Sequence, residues 1–189
     1  MESDREMVNA VLQGDRHAFG ILVKQTEGLV AQITFKMVGS PGDRKDIAQD
    51  IYLKAYKSIG RFKFKSKLST WIGQIAYNTC LRYLEKKRLI LLDNDGKNDD
   101  DDEHQLPDES DNAEVLLSNK DLKGVLNKEL DQLQPLYKTL ISLYHQEELT
   151  YAEIAEITEL PEGTVKNYIF RARKQLRENI LKTYKRDEL

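Results

Sequence analysis

The chain carries one cysteine, Cys80, which leaves no second thiol to pair with and excludes both an intramolecular disulfide and a cysteine-based zinc site. Cys80 lies in an apolar helical stretch, where a small buried hydrophobe is its expected role. The three histidines, His17, His104 and His145, are far apart, and no phosphate-cradling glycine loop is present. Dense carboxylates occur in one contiguous run, Asp99 to Glu103, which lacks the shaping glycine and spaced ligands of a calcium loop. No metal, no cofactor and no catalytic site is therefore expected. No apolar run approaches the ~20 residues that span a bilayer, so direct membrane insertion is not expected. Met1 to Ala10, MESDREMVNA, lacks the basic start and apolar stretch of a secretory signal. The expectation is a soluble, cytoplasmic protein. Only four prolines and no alternating strand pattern leave an all-α chain.

The net charge of −3 conceals a strong segregation. Met1 to Leu92 holds 16 Lys+Arg against 9 Asp+Glu, Asp93 to Glu114 holds 1 against 11, and Val115 to Leu189 balances 12 against 12. Within these, Arg61 to Leu92 and Gly163 to Arg186 each carry eight basic residues against one acidic. Two basic surfaces flanking an acidic centre fit a nucleic-acid partner engaged at two sites. The centre, 93–112, has almost no large apolar residue and cannot bury enough surface to offset its ordering entropy, so an acidic flexible linker is expected there. Two small helical domains follow, 1–92 and 113–189.

In the first domain, periodicity predicts helices over Asp4–Gln13, Asp15–Val38, Asp43–Ser58 and Ser69–Lys87, with Gly39-Ser40-Pro41-Gly42 as a stop. Ile47 and Ile51 face inward on the third, which puts Asp46, Gln49, Asp50 and Lys54 on or near the opposite face. Arg61 to Trp71, RFKFKSKLSTW, interleaves cations with aromatics, a composition suited to holding a single strand by charge and base stacking. Trp71 is expected in the core.

In the second domain, helices are predicted over Ala113–Leu130 and from Pro135 through Tyr144. Thr150-Tyr151-Ala152-Glu153 then forms a capping box, in which the threonine hydroxyl and the glutamate carboxylate satisfy each other's orphan backbone donors. The helix it starts is short and breaks at Thr158-Glu159-Leu160-Pro161. In the next helix, Glu162 to Lys182, Val165, Ile169, Ala172 and Leu176 form one apolar stripe. Lys166, Asn167, Phe170, Arg171, Arg173, Lys174 and Arg177 face outward, offering donors for base edges and cations for phosphates. A short helix, a tight turn and a basic amphipathic second helix is the plan of a helix-turn-helix, whose second helix enters the major groove.

Tyr151-Ala152-Glu153-Ile154-Ala155-Glu156-Ile157 followed by Pro161-Glu162-Gly163-Thr164-Val165-Lys166-Asn167-Tyr168-Ile169-Phe170-Arg171-Ala172-Arg173 resembles the second promoter-binding domain of the extracytoplasmic-function (ECF, group 4) sigma factors of bacterial RNA polymerase. The resemblance implies that Lys166, Asn167, Phe170, Arg171, Arg173 and Lys174 meet the minus-thirty-five element. Two positions depart from the family: Glu159 stands where a glycine is common in the turn, and Asn167-Tyr168 where serine-arginine is common. Asp46 to Tyr56, DIAQDIYLKAY, resembles the helix that docks on the clamp coiled coil of the polymerase's largest subunit, which gives Asp46, Gln49, Asp50 and Lys54 to core polymerase. The basic-aromatic loop and Ile75 to Leu84 resemble the element that captures an unstacked minus-ten base. This implies strand contacts from Phe64, Lys65, Asn78 and Arg82, with phosphate contacts from Lys86, Lys87 and Arg88. The family's linker is similar in position and charge and threads toward the active-site and RNA-exit channels. An anti-sigma partner, often membrane-bound, is also implied. The rival expectation is a stand-alone helix-turn-helix regulator that binds duplex DNA as a dimer.

Overall fold

The computed structural model describes residues 2–92 and 119–187, and all regular structure among them is helical. Helices α1 (Glu2–Leu12) and α2 (Arg16–Met37) meet at Asp15, whose carboxylate caps α2 by accepting from the His17 and Ala18 amides at 2.8 and 3.1 Å. The break after α2 is shorter than the predicted stop. Pro41 is the first residue of α3 (Pro41–Ser58), a position whose amide would be unsatisfied in any case, so proline starts the helix instead of ending one. A short 3-10 turn, Ile59–Arg61, leads into the basic-aromatic loop and then α4 (Leu68–Leu92), which outruns the predicted Ser69–Lys87 at both ends.

The acidic segment 93–112 and the start of the helix expected from Ala113 lie outside the described residues. The chain resumes with α5 (Asn119–Gln132), α6 (Pro135–His145), α7 (Tyr151–Thr158) and α8 (Glu162–Asp187). Helices α5, α6 and α7 all pack on α8, and a satellite cluster of Leu130, Leu133, Ile141 and Ala172 fills the space beside it.

Two helical clusters are therefore present, α1–α4 and α5–α8, as the sequence predicts, but they are not separate. Helix α7 packs on α4 and α6 on α2. Leu140, Leu143, Ile154 and Ile157 join Leu22, Ile33, Ile51 and Ile72 in one continuous buried core. The crossing of α4 and α7 depends on Gly73. A Cβ there would lie 3.0 and 3.1 Å from Cδ1 and Cγ1 of Ile157 and 3.2 Å from Leu29 Cδ2. Glycine inside a helix costs ~1 kcal/mol relative to alanine, and the return is a close approach that buries Ile157 completely.

Burying one isoleucine contributes ~1.5–3 kcal/mol, whereas an exposed ion pair contributes ~0–1 kcal/mol. The apolar seat therefore outweighs the ion pairs that also bridge the clusters, Lys67–Glu153 at 2.7 Å and Lys36–Asp131 at 3.7 Å.

Candidate nucleic-acid interface

Helix α4 sorts its residues by helical spacing. Ile72, Ala76 and Cys80, each one turn apart, are fully buried. Gln74, Asn78, Arg82 and Lys86 repeat at the same spacing along another face, grading from half-buried amides to exposed cations. Lys87 and Arg88 extend the exposed basic end. Burial pushes the Cys80 thiol up to about 11, the Sγ–H pointing at Thr34 Oγ1 at 4.0 Å, so Cys80 is the buried hydrophobe its surroundings predict.

The loop before α4 is shaped by aromatics. Phe62 is buried, with its ring centroid 4.8 Å from Phe64 and 5.4 Å from the half-buried Trp71. Phe64 has a φ of 55°, in the left-handed region, and the Arg5 guanidinium sits 5.1 Å above its ring. Of the pair expected to meet a strand, Lys65 is exposed and Phe64 half-buried beneath Arg5.

At α7 the predicted capping box is complete. Thr150 Oγ1 accepts from the Glu153 amide at 3.2 Å, and Glu153 Oε2 accepts from the Thr150 amide at 2.9 Å. The other carboxylate oxygen accepts from Lys67 Nζ at 2.7 Å, and this bond together with the Thr150 amide holds the Glu153 carboxyl below its ordinary range. The turn that follows places Glu159 at φ 59° and ψ 20°. Its Oε1 accepts two amides from α4, Gln74 Nε2 at 2.8 Å and Asn78 Nδ2 at 3.2 Å.

On α8, Val165, Ile169 and Ala172 are buried, and Lys166, Asn167, Arg173, Lys174 and Arg177 are exposed. Phe170 and Arg171 are half-buried rather than fully outward. Arg173 is held at its base: its Nε and Nη2 lie 3.2 and 3.0 Å from His145 Nε2, and its guanidinium sits 5.0 Å over Tyr144, which stacks on Tyr151 at 4.8 Å. Partial burial, and then the charge of Arg173, lower the His145 pKa below its ordinary value.

On α3, Asp46, Gln49 and Asp50 are exposed opposite the buried Ile47, Ile51 and Ala55. Lys54 instead turns along the helix, pairing with Asp50 at 2.5 Å and donating to Thr79 Oγ1 at 3.3 Å, where it braces α3 against α4. The same region exposes two large apolar side chains that the charge pattern did not single out, Leu53 and Tyr56. Their positions outside the Ile47, Ile51, Ala55 stripe were the available signal. On the far side of α3, a groove of about 390 Å³ separates it from α2 and is lined by Phe35, Arg44, Ala48 and Tyr52, with Arg44 stacked 4.5 Å over the exposed Phe35.

No group of three or more metal-ligating side chains occurs among the described residues, and no described helix is long and apolar enough to cross a membrane.

Comparison with known proteins gives both clusters a relative. Residues 22–90 match the sigma-70 region 2 family and residues 124–176 the sigma-70 region 4 family. The ECF RNA polymerase sigma-E factor of Haemophilus influenzae is 34% identical, over 94% of this chain and 95% of its own length. The RNA polymerase sigma-H factor of Pseudomonas aeruginosa is 29% identical over 93% and 92%. In fold, the chain is similar to CnrH, solved in complex with the cytosolic domain of CnrY, with a TM-score of 0.62 at 20% identity over 94% and 96% of the two chains. It is equally similar to RpoE of Bartonella quintana, solved with the anti-sigma factor NepR, at 0.62 and 22% over 87% and 96%. With regions 2 and 4 both matched in order and a sigma-E factor aligned along nearly its full length, the chain belongs to the ECF sigma factors, which direct RNA polymerase to promoters and are not enzymes.

Proposed function

We propose that the two basic helices divide promoter recognition between them. Residues 1–92 serve core polymerase and the minus-ten element, and residues 113–189 serve the minus-thirty-five element. The observation that carries this reading is the presence, in one chain, of two donor-rich helix faces, each backed by a buried stripe. One is the half-buried Asn78 with the exposed Arg82 and Lys86 on α4; the other is the exposed Lys166, Asn167 and Lys174 on α8.

In this division, α7, the Glu159 turn and α8 act as a helix-turn-helix. Lys166, Asn167 and Phe170 approach base edges, while Arg171, Arg173 and Lys174 position the helix on phosphates. Asn78 and Arg82, with Phe64 and Lys65 of the preceding loop, hold the extruded minus-ten strand, and Lys86, Lys87 and Arg88 follow its backbone. Melting then requires no covalent chemistry: contacts to the extruded strand offset an unpairing cost of a few kcal/mol per base, on the order of what base flipping demands. The exposed face of Asp46, Gln49 and Asp50, with Leu53 and Tyr56 beside it, docks on the polymerase clamp, and Lys54 keeps that face rigid. Charged residues around exposed apolar ones are the usual make-up of a partner surface. An anti-sigma protein is a further partner; RpoE of Bartonella quintana was solved with one.

The test uses purified core polymerase. Asp50→Ala should weaken core binding while leaving promoter preference unchanged. Loss of DNA binding with core affinity intact would reverse the assignment of the two faces.

A further inference from the structure

We propose that Gln74 and Asn78 form a two-amide site for an acceptor oxygen of the minus-ten single strand, and that in the free chain the carboxylate of Glu159 fills this site, so that the protein covers its own strand-binding face. The inference rests on the assignment of Asn78 to the minus-ten strand and extends it to Gln74 and to a closed state.

The two amides are one helical turn apart on α4 and converge on one atom, Glu159 Oε1, at 2.8 and 3.2 Å. They lie on the same stripe as Arg82 and Lys86, the path a strand would take. Neutral amide donors need an acceptor. A carboxylate oxygen from the α7–α8 turn meets that need as a base carbonyl or a phosphate oxygen would.

The occupant is held in place by packing. Ile157, two residues before Glu159, sits fully buried against Gly73, one residue before Gln74, where a Cβ would come within 3.0 Å. Lys67, in the loop before α4, pairs with Glu153 of α7 at 2.7 Å. Lys65 and Ser66 face Ala155 and Glu156 across a cleft of about 330 Å³ that Gln74 and Glu159 also line. The left-handed backbone at Glu159 favours glycine on conformational grounds. A glutamate there places both α4 amides on its carboxylate, a contact that glycine could not make. A strand lying along α4 must displace Glu159, so strand binding and the closed packing exclude one another.

The experiment uses the full chain and a fluorescein-labelled single-stranded DNA carrying the non-template minus-ten segment of a promoter that the holoenzyme selects from a random library. Glu159→Gly removes the occupant at a backbone position that glycine prefers. It should tighten binding about five-fold by raising the open fraction. In that background Gln74→Ala should weaken binding about two- to tenfold, as the loss of one hydrogen bond does. Lys67→Cys with Glu153→Cys, bridged by a short cleavable thiol cross-linker, should bind about tenfold more weakly than the same protein after cleavage. An abasic position that abolishes the Gln74→Ala effect marks a base oxygen as the ligand; a neutral methylphosphonate that does so marks a phosphate. Strand affinity unchanged by Glu159→Gly and by cross-linking would overturn the closed state, and a silent Gln74→Ala would overturn the two-amide site. Promoter melting by the holoenzyme with Asn78→Ala, read by 2-aminopurine fluorescence, separates the levels. Intact melting would reject the assignment of Asn78 itself. Impaired melting with no effect of Glu159→Gly or cross-linking would reject self-coverage alone.

Discussion

At Glu159 the backbone and the side chain want different residues. A φ of 59° is unfavourable for any residue with a Cβ, by ~1–2 kcal/mol, while glycine costs the unfolded chain entropy worth ~0.4–1 kcal/mol. With two exposed amide contacts also lost, the terms nearly cancel, so calorimetry should place Glu159→Gly within about 1 kcal/mol of the parent chain. A loss well beyond that would mean that the turn depends on the glutamate for its shape. Cys80 makes an independent check on the core. Its thiol is raised from an ordinary value of 9.0 to about 11 chiefly by burial, so an aromatic disulfide reagent at pH 8 should react only as fast as the chain opens. Because the folded pKa is the higher one, the stability linked to this thiol is complete below pH 9 and is lost as the pH rises through about 11. The role of Cys80 was legible from its apolar neighbours alone. The carboxylate of Glu159 was not, because its partners are distant in sequence and its departure from glycine says only that the turn is unusual.

Elements were most legible where their signals are local. The Thr150–Glu153 box lies within four consecutive residues, and the structure builds it as predicted; Thr150→Ala should cost ~0.5–2 kcal/mol, measurable by denaturant unfolding. Pro41 was misleading because proline both ends helices and starts them, and which it does depends on the helix it joins. On α8 the periodicity found the buried stripe but not its width. Phe170 and Arg171 are half-buried on a helix against which α5, α6 and α7 all pack, and a helical wheel contains no neighbours. Arg173 is anchored as well as exposed. His145 must present a neutral Nε2 to accept from it. Its folded pKa is depressed, by burial first and by Arg173 second. The stability linked to this contact is therefore present above the ordinary histidine pKa of 6.5 and is lost as the pH falls through the folded value. An NMR titration should find His145 below 6.5, and Arg173→Ala should raise it part of the way back, with burial accounting for the remainder. A His145 that titrates unchanged in Arg173→Ala would disprove the contact.

For the whole molecule, the charge map gave two basic surfaces around an acidic centre, and the helices that carry them are those the structure describes. The contact between the two clusters was hidden, because Gly73 reads locally as a weak point in a helix and Ile157 as an ordinary core residue of a short one. Only the fold brings them together. The two proposed DNA faces would gain effective concentration for each other when the promoter elements are correctly spaced, which would let a protein of net charge −3 place a polymerase. The most direct test is transcription from a random promoter library by core polymerase with the parent chain and with Lys166→Ala/Asn167→Ala. The parent should select start sites that share two elements at a fixed separation. The variant should lose ~1–3 kcal/mol of discrimination per base contact at the upstream element while the downstream element persists. Core-independent binding to duplex DNA, with no start sites specified, would contradict the account.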